Sequence, residues 1–524
     1  MISKDNIAKT TDGTTSETKL ADSKKVEELK DHDQLIHENH LKIAIIGNVD
    51  SGKSTLVGVL TKGLFDDGRG AARSRVFNYR HEAENGRTSS IAQEIMGFNE
   101  KGEQILPDRF NPNKNKYWAE VVKKSSKIVT MVDLCGHEKY LKTTMFGLTG
   151  LVPDYTMIIV GANMGLSRMT KEHLGITLAL KIPFFVVLTK IDMCPETKFN
   201  ETMETLLTLL KHDTVKRRPI QIKTNDDINI CAEGIAGNCI CPIFTCSSVT
   251  GEGIPEVVKF ISMLNNRDKI NKLLKTPKDP IQFDINENFL VSGVGVVVSG
   301  LVKSGTIKLN SPVLLGPDKS NSFKPVVVKS IHVNRVPAEE AIAGEFACLA
   351  IKPSNKKEIL SRDEFRKGMV IIDASVKPES IWEFDAEVLI LHHATTVQPN
   401  YQAVVHCGVI RQAVKIVGMA KELMRTGDKG QVRFRFMYNS EYLRPGYPLL
   451  LREGRTKILG LVTKVYTGTA KEEPLLPLVS KIGDKKTEET SKETTKEAVK
   501  ETATTRQEAP VKPEMKISKQ EAVK

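Results

Sequence analysis

The sequence predicts an α/β domain on a mostly parallel sheet, then two small all-β barrel domains, with disordered tails at both ends. Three observations carry that expectation. Between residues 41 and 274, apolar strand-like runs alternate with helix-like ones, the pattern of a sheet covered on both faces. After Pro277 and Pro280 the texture changes to short β-rich runs punctuated by glycine and proline, over 281–372 and 381–466. Both ends are polar and charged and almost without apolar periodicity. The expected division is a tail over 1–40, the α/β domain over 41–274, barrels over 275–374 and 375–468, and a Lys/Glu/Thr-rich tail over 469–524.

Each element can be justified in turn. Ile43-Ala44-Ile45-Ile46 reads as a buried strand, and Leu56 to Leu60 continues an apolar pattern that suits a helix. Further strands are expected at 127–132, 156–161, 183–189 and 242–246, and helices at 170–181 and 200–211. In the β-rich half the clearest strands are 294–302, 326–333, 403–410 and 430–437. Segment 97–119 holds turn formers and few apolar residues, so it reads as an inserted surface hairpin or loop.

Composition narrows the function classes. A 40% hydrophobic content over 524 residues can fill several cores, yet no run approaches the roughly 18 apolar residues of a membrane span. The N-terminus lacks the apolar core of a signal peptide, and the 8 cysteines are scattered, so a reducing, cytoplasmic setting is expected. Cys231, Cys239, Cys241 and Cys246 cluster without paired Cys-x-x-Cys spacing, which favours ordinary buried thiols over zinc. The formal charge of +12 favours a polyanionic partner such as RNA. No membrane partner is expected, and the chain is read as a monomer.

The stretch GNVDSGKST, residues 47–55, matches the Gly-x-x-x-x-Gly-Lys-Ser/Thr phosphate loop at every fixed position, between a predicted strand and helix. Gly47 and Gly52 let successive N–H groups turn inward, so Asn48, Val49, Asp50 and Ser51 frame an anion cradle that Thr55 closes. Lys53 would reach the β- and γ-phosphates, and the Ser54 hydroxyl would hold Mg²⁺. A phosphate loop alone does not distinguish kinases, ATPases and GTPases. Asp133-Leu134-Cys135-Gly136 follows a strand as an Asp-x-x-Gly switch should; Asp133 would bind Mg²⁺ through water and the Gly136 N–H would contact the γ-phosphate.

The base is addressed by Thr189-Lys190-Ile191-Asp192, which resembles the guanine-reading Asn-Lys-x-Asp motif. The Asp192 carboxylate would accept from the guanine N1–H and amino group, two donors that adenine does not offer, while the Lys190 stem packs on the base. Thr189 replaces the usual Asn, a departure expected to weaken nucleotide binding. Ser247-Ser248-Val249 resembles the Ser-Ala-Lys/Leu loop that supports guanine from below. Thr88, in Gly86-Arg87-Thr88-Ser89-Ser90, is the candidate Mg²⁺-binding threonine of a switch loop, with Ser89 and Ser90 as neighbouring alternatives.

Together the loop, DLCGHEKYLKTT at 133–144 and the two β-rich regions resemble translational GTPases of the elongation factor Tu and elongation factor 1-alpha class. NGRTSS (85–90), GHEKYLKTTMFGLTG (136–150), MTKEHLG (169–175), TKIDMCP (189–195), VSGVGVVVSG (291–300), VLLGPD (313–318), VHCGVIRQ (405–412) and LREGRTKILG (451–460) are similar to the GTP-binding protein 1 family. The resemblance runs from about 41 to 466. It implies GTP/GDP and Mg²⁺ as ligands, GTP hydrolysis, and aminoacyl-tRNA and the ribosome as partners, with mRNA-decay factors linked to relatives. It further implies that His137 positions the attacking water, with Lys53 and Thr88 completing the catalytic set, and that Asp50 holds a monovalent cation. The alternatives are a helix-start role for His137 and a loop cap for Asp50. From Thr88 to Asp133 is 45 residues, far longer than in bacterial elongation factors. Rival readings are a regulatory G subunit of the same architecture, coupling hydrolysis to a reaction such as sulfate activation, and a non-enzymatic scaffold.

Overall fold

The computed structural model describes residues 39–106, 114–265, 278–355, 357–454 and 456–467; the predicted tails fall almost wholly outside them. The N-terminal region is an eight-stranded sheet of β1 (Leu41–Gly47), β2 (Ala92–Phe98), β3 (Gln104–Ile105), β4 (Lys127–Asp133), β5 (Tyr155–Gly161), β6 (Phe184–Thr189), β7 (Arg218–Gln221) and β8 (Ile240–Thr245). Its order is β3-β2-β4-β1-β5-β6-β8-β7. From β4 to β7 every neighbouring pair is parallel, whereas β2 and β3 add an antiparallel edge.

β1 and β5 are buried at every residue because both faces are covered. Ile43, Ile45, Met157 and Ile159 pack with Leu56 and Leu60 of helix Lys53–Lys62 and Phe260 of helix Ile254–Met263. Ala44, Ile46, Ile158 and Val160 face the other way, onto Met145, Leu174 and Leu206 of helices Leu141–Gly150, Arg168–Ala179 and Glu196–Lys211. Period-two alternation divides one strand between two cores, and each buried aliphatic side chain contributes about 1.5–3 kcal/mol. The register Ile45↔Asp133, Gly47↔Ile159, Gly161↔Thr189 and Leu188↔Thr245 brings the loops after β1, β4, β6 and β8 to one edge of the sheet.

Segment 97–119 opens on the expected hairpin, but its second half corrects the sequence reading. It begins inside β2, pairs Gly97 with Ile105 and Phe98 with Gln104, and ends in helix Lys114–Lys124. Tyr117 and Trp118 are buried there with Ile95, Val121 and Ile128. Two aromatics in a polar stretch carried a packing signal that low apolar content concealed.

The first β unit contains β9 (Gln282–Val291), β10 (Gly295–Ser304), β11 (Thr306–Lys308), β12 (Pro312–Gly316), β13 (Lys324–Val333), β14 (Val336–Ala338), β15 (Glu340–Ile342), β16 (Phe346–Pro353) and β17 (Val370–Asp373). Six of them close a barrel in the order β12-β17-β9-β10-β16-β13, because β13 pairs back to β12. The second is a closed barrel of β18 (Glu383–His392), β19 (Gln402–Cys407), β20 (Ile410–Met419), β21 (Lys429–Phe436), β22 (Pro448–Glu453) and β23 (Thr456–Tyr466), in the order β18-β21-β20-β19-β22-β23. The run 403–410 is thus a strand, a turn at Gly408 and the start of the next strand, not one strand. Barrel closure removes the unpaired edges an open sheet would expose.

Both barrels touch the sheet domain. Lys42 Nζ donates to the Gly344 carbonyl at 2.9 Å, and the Arg335 guanidinium lies 4.7 Å over the Trp118 ring. Glu172 pairs with Lys457 at 2.6 Å, and Leu450 of the second barrel joins a sheet-domain core. Among the described residues no helix is long and apolar enough to cross a membrane.

Candidate active site

The phosphate loop joins β1 to helix Lys53–Lys62. Gly52 stands at the helix start with φ 87°, where a side chain would be strained, and Asp50 also has a positive φ of 58°. Lys53 Nζ donates to the Asn48 carbonyl at 2.7 Å, and Ser51 Oγ donates to the same oxygen at 2.9 Å. Burial lowers the Lys53 pKa, a shift that the nearby Asp133 charge opposes. Gly136 is needed for close approach: a Cβ there would collide with Lys53 Nζ and lie 2.7 Å from the Asn48 carbonyl oxygen.

Three oxygen-bearing side chains meet beneath the loop. Ser54 Oγ donates to Asp133 Oδ2 at 2.5 Å and lies 2.8 Å from Thr88 Oγ1. Asp133 is fully buried, its Oδ1 has no hydrogen-bond partner, and burial raises its pKa to about 6 against the pull of Lys53. Of the three adjacent hydroxyls considered from sequence, Thr88 is the one hydrogen-bonded to Ser54. Ser89 and Ser90 instead turn to Glu82, whose Oε1 accepts from both backbone N–H groups (2.7 and 2.8 Å) and both hydroxyls (3.0 and 2.9 Å).

A cavity of about 50 Å³ opens above these groups, lined by residues that include Val49, Asp50, Gly52, Lys53, Ser54, Thr55, Thr88, Gly136 and His137, together with Arg73 and Arg87. Asp50 is exposed. His137 lines the cavity, and its Nδ1 accepts from the Lys139 N–H at 3.1 Å, capping the short turn Glu138–Tyr140 as a helix-start residue would. That bond leaves the proton of the neutral ring on Nε2.

The residues expected to read the base follow the ends of β6 and β8. Thr189 Oγ1 donates to the Ser51 carbonyl at 2.7 Å, a buried tie from β6 to the phosphate loop. Lys190 has φ 63° and opens the turn Ile191–Met193, leaving Asp192 exposed. Ser247 Oγ accepts from the N–H groups of Val249 and Thr250 at 3.2 and 3.1 Å. Asp192 is near enough that its charge adds to the burial that pushes the Cys246 thiol up to about 12. The Ser248 carbonyl accepts from the Asp66 N–H at 2.8 Å, and the half-exposed Phe65 ring rests against Gly251. Of the four clustered cysteines, Cys231, Cys241 and Cys246 are buried but Cys239 is exposed, which corrects the reading of it as a buried thiol.

Residues 38–267 match the family described as Elongation factor Tu GTP binding domain, and residues 295–372 match Elongation factor Tu domain 2. The chain is 45% identical over 441 residues to GTP-binding protein 1 of Xenopus laevis, covering 84% of this chain and 65% of that protein. It is 41% identical over 434 residues to GTP-binding protein 2 of Homo sapiens, covering 82% and 70%. The chain belongs to this family of elongation factor Tu-like GTPases. Members of this translational GTPase family bind GTP and GDP and hydrolyse GTP. This chain spans about two thirds of the length of these two relatives. Among solved structures, the Saccharomyces cerevisiae Ski7 GTPase-like domain aligns with TM-score 0.61 and 14% identity, over 84% of this chain and all of that one. A bacterial selenocysteine-specific elongation factor aligns with TM-score 0.58 and 19% identity, over 83% and 59%. Both share the fold.

Sequence reasoning missed Glu82, Arg73 and Phe65. Glu82 lies six residues before Thr88, but only the folded chain shows its carboxylate beneath Ser89 and Ser90. Arg73 had no local motif to mark it.

Proposed function

We propose that this chain hydrolyses GTP to GDP and phosphate with Mg²⁺, and that its GTP form binds aminoacyl-tRNA and acts at the ribosome. Mg²⁺ suits the residues present: the hard oxygen donors of Ser54, Thr88 and Asp133 meet, and Asp133 keeps a buried oxygen free of hydrogen bonds. When bound, the ion supplies charge neutralisation at the β- and γ-phosphates. Lys53 neutralises the same oxygens, the loop N–H groups hold them, and His137 orients water through Nε2. Asp192 reads the base, and the exposed Asp50 offers a seat for a monovalent cation.

The observation that carries the tRNA reading is a second cavity, of about 220 Å³, between the sheet domain and the first barrel. Its walls combine Trp118 and Phe289 with Glu287, His332, Asn334 and Arg335, the mixture of aromatic surface and a few polar groups that suits an aminoacyl end or a base. Asn78 and Ile91 also line it, and they flank the segment that carries Thr88. Asn78 Nδ2 donates to the Ile91 carbonyl at 3.2 Å, and its backbone N–H donates to Glu82 at 3.1 Å. A ligand there and a γ-phosphate at Thr88 therefore bias one segment, and by linkage each changes the affinity of the other.

Filter binding of charged and uncharged tRNA, with GTP or GDP bound, tests this. The GTP form should prefer aminoacyl-tRNA, and binding should weaken steeply as salt rises because phosphate contacts release counterions. Ribosomes should stimulate hydrolysis, and His137→Ala should remove the stimulation while leaving GTP affinity nearly unchanged. Equal binding of charged and uncharged tRNA in both nucleotide states would refute the tRNA reading.

A further inference from the structure

We propose that Arg73 is a catalytic arginine supplied in cis, donating to the phosphoryl group as it leaves GTP. The proposal rests on the hydrolysis reading above. Arg73 sits in the short helix Ala71–Ser74, behind a loop that Asp66 organises: its carboxylate accepts from the N–H groups of Gly68, Gly70 and Ala72 at 3.1, 3.2 and 2.8 Å. The guanidinium occupies a slot between two left-handed glycines, Gly70 (φ 99°) and Gly86 (φ 63°). A Cβ at Gly70 would strike Arg73 Nε and lie 2.9 Å from Cζ; one at Gly86 would lie 3.3 Å from Nη2. The guanidinium fills the space that a side chain at Gly70 would take and lies close to Gly86.

Position and charge then point to an anion. Arg73 lines the phosphate cavity with Lys53, Thr88, Gly136 and His137, and it is half-buried. Among the described residues no carboxylate pairs with it. Arg87 lines the cavity too but is exposed, without a comparable slot. In hydrolysis the water oxygen forms a bond to Pγ while the bond from Pγ to the bridging oxygen breaks. The electron pair of that bond stays on the β-phosphate of GDP, and a water proton passes to the released phosphate. Negative charge is spread over the transferring phosphoryl group and the leaving oxygen as this happens, and a guanidinium fork donating to that phosphoryl group would stabilise the transition state more than bound GTP.

The test uses the full chain with Arg73→Ala and Arg73→Lys, followed by single-turnover GTP hydrolysis, GTP and GDP titrations, and formation of a GDP–aluminium fluoride complex. We expect hydrolysis of bound GTP to fall by about 10³-fold or more in the alanine variant. GTP and GDP affinities should change little, and the fluoride complex seen with wild type should be lost. Lysine should restore little, because it keeps the charge and loses the fork. Retained GDP binding shows that the variant is folded. Equal losses of GTP and GDP affinity, with turnover of bound GTP unchanged, would make Arg73 a ground-state anchor and overturn the proposal. Wild-type turnover matched by both variants would overturn it alone. A wild type that neither hydrolyses GTP nor forms the fluoride complex would bring down the hydrolysis reading and the proposal with it.

Discussion

Glu82 and Asp133 are both fully buried carboxylates, one on each side of the segment that carries Thr88, and they are treated in opposite ways. Every oxygen of Glu82 is occupied: Oε1 accepts from Ser89 and Ser90, and Oε2 accepts from the N–H groups of Asn78 and Tyr79 at 3.1 and 3.3 Å. Burial alone would raise its pKa, but those hydrogen bonds outweigh it and hold the carboxyl below its ordinary value. Asp133 has one oxygen bonded to Ser54 and the other bonded to nothing, and burial wins there. The difference separates an acid whose oxygens are all used within the fold from one that keeps an oxygen for the ligand role proposed above. A satisfied carboxylate shapes the loop, whereas an orphaned one keeps a coordination position open, and the fold bears the cost of burying it.

Removing the orphan should therefore cost function and not fold. Asp133→Asn keeps the shape and the Ser54 contact but halves the acceptor capacity. Loss of an outer-shell partner costs about 10–100-fold in metal affinity, and a carboxylate that holds Mg²⁺ through water is such a partner, so Mg²⁺-dependent GTP binding should weaken by about that factor. Titrations of GTP with and without Mg²⁺, beside a thermal melt of the nucleotide-free protein, measure both. A large fall in melting temperature with unchanged Mg²⁺ dependence would make Asp133 a second Glu82 and erase the contrast.

A third acid extends the comparison to the other end of the site. Asp192 is exposed in the turn that Lys190 opens. Its role rests on the base alone. Asp192→Asn swaps an acceptor for a donor, and GTP affinity should fall by about ten- to a hundred-fold while the xanthine nucleotide gains. Isothermal titration with the two nucleotides gives the ratio; an unchanged ratio would leave Asp192 as an ordinary surface acid.

Which of these residues could be read from sequence follows from how their roles are encoded. GNVDSGKST was legible because phosphate binding uses consecutive backbone N–H groups, and Asp133, Thr189 and Asp192 because each sits at a strand end, where the parallel sheet delivers its loops. The alternating strands and helices gave the sheet domain, and the glycine-punctuated β runs gave both barrels. Glu82, Arg73 and Trp118 were opaque for a shared reason. Ser89 recognises Glu82 across a turn, Arg73 fits between Gly70 and Gly86, and Trp118 is buried by β2 and β4 from a segment with too few apolar neighbours to set a period. Such roles belong to the packed chain and leave no spacing rule behind.

The smallest expected effect concerns Glu82 and gives the comparison its pH test. Glu82→Gln keeps the volume and one acceptor oxygen, but it points an amide at donors where an oxygen had accepted. Leaving buried donors unmatched costs about 1–3 kcal/mol of stability. Because the folded-state pKa of Glu82 is depressed, its contribution is complete above the ordinary glutamate value of 4.5 and is lost as pH falls below it. Urea midpoints measured from pH 7 down to the lowest pH at which the protein stays folded, well below 4.5, should therefore converge for wild type and Glu82→Gln on the acid limb, with the gap full at neutral pH. GTP affinity should drop modestly in the variant, since Ser89 and Ser90, which follow Thr88, lose part of their anchor while the Thr88 contact with Ser54 remains. A gap that stays constant across the pH range would mean that the Glu82 charge contributes nothing, and that the loop is held by shape alone.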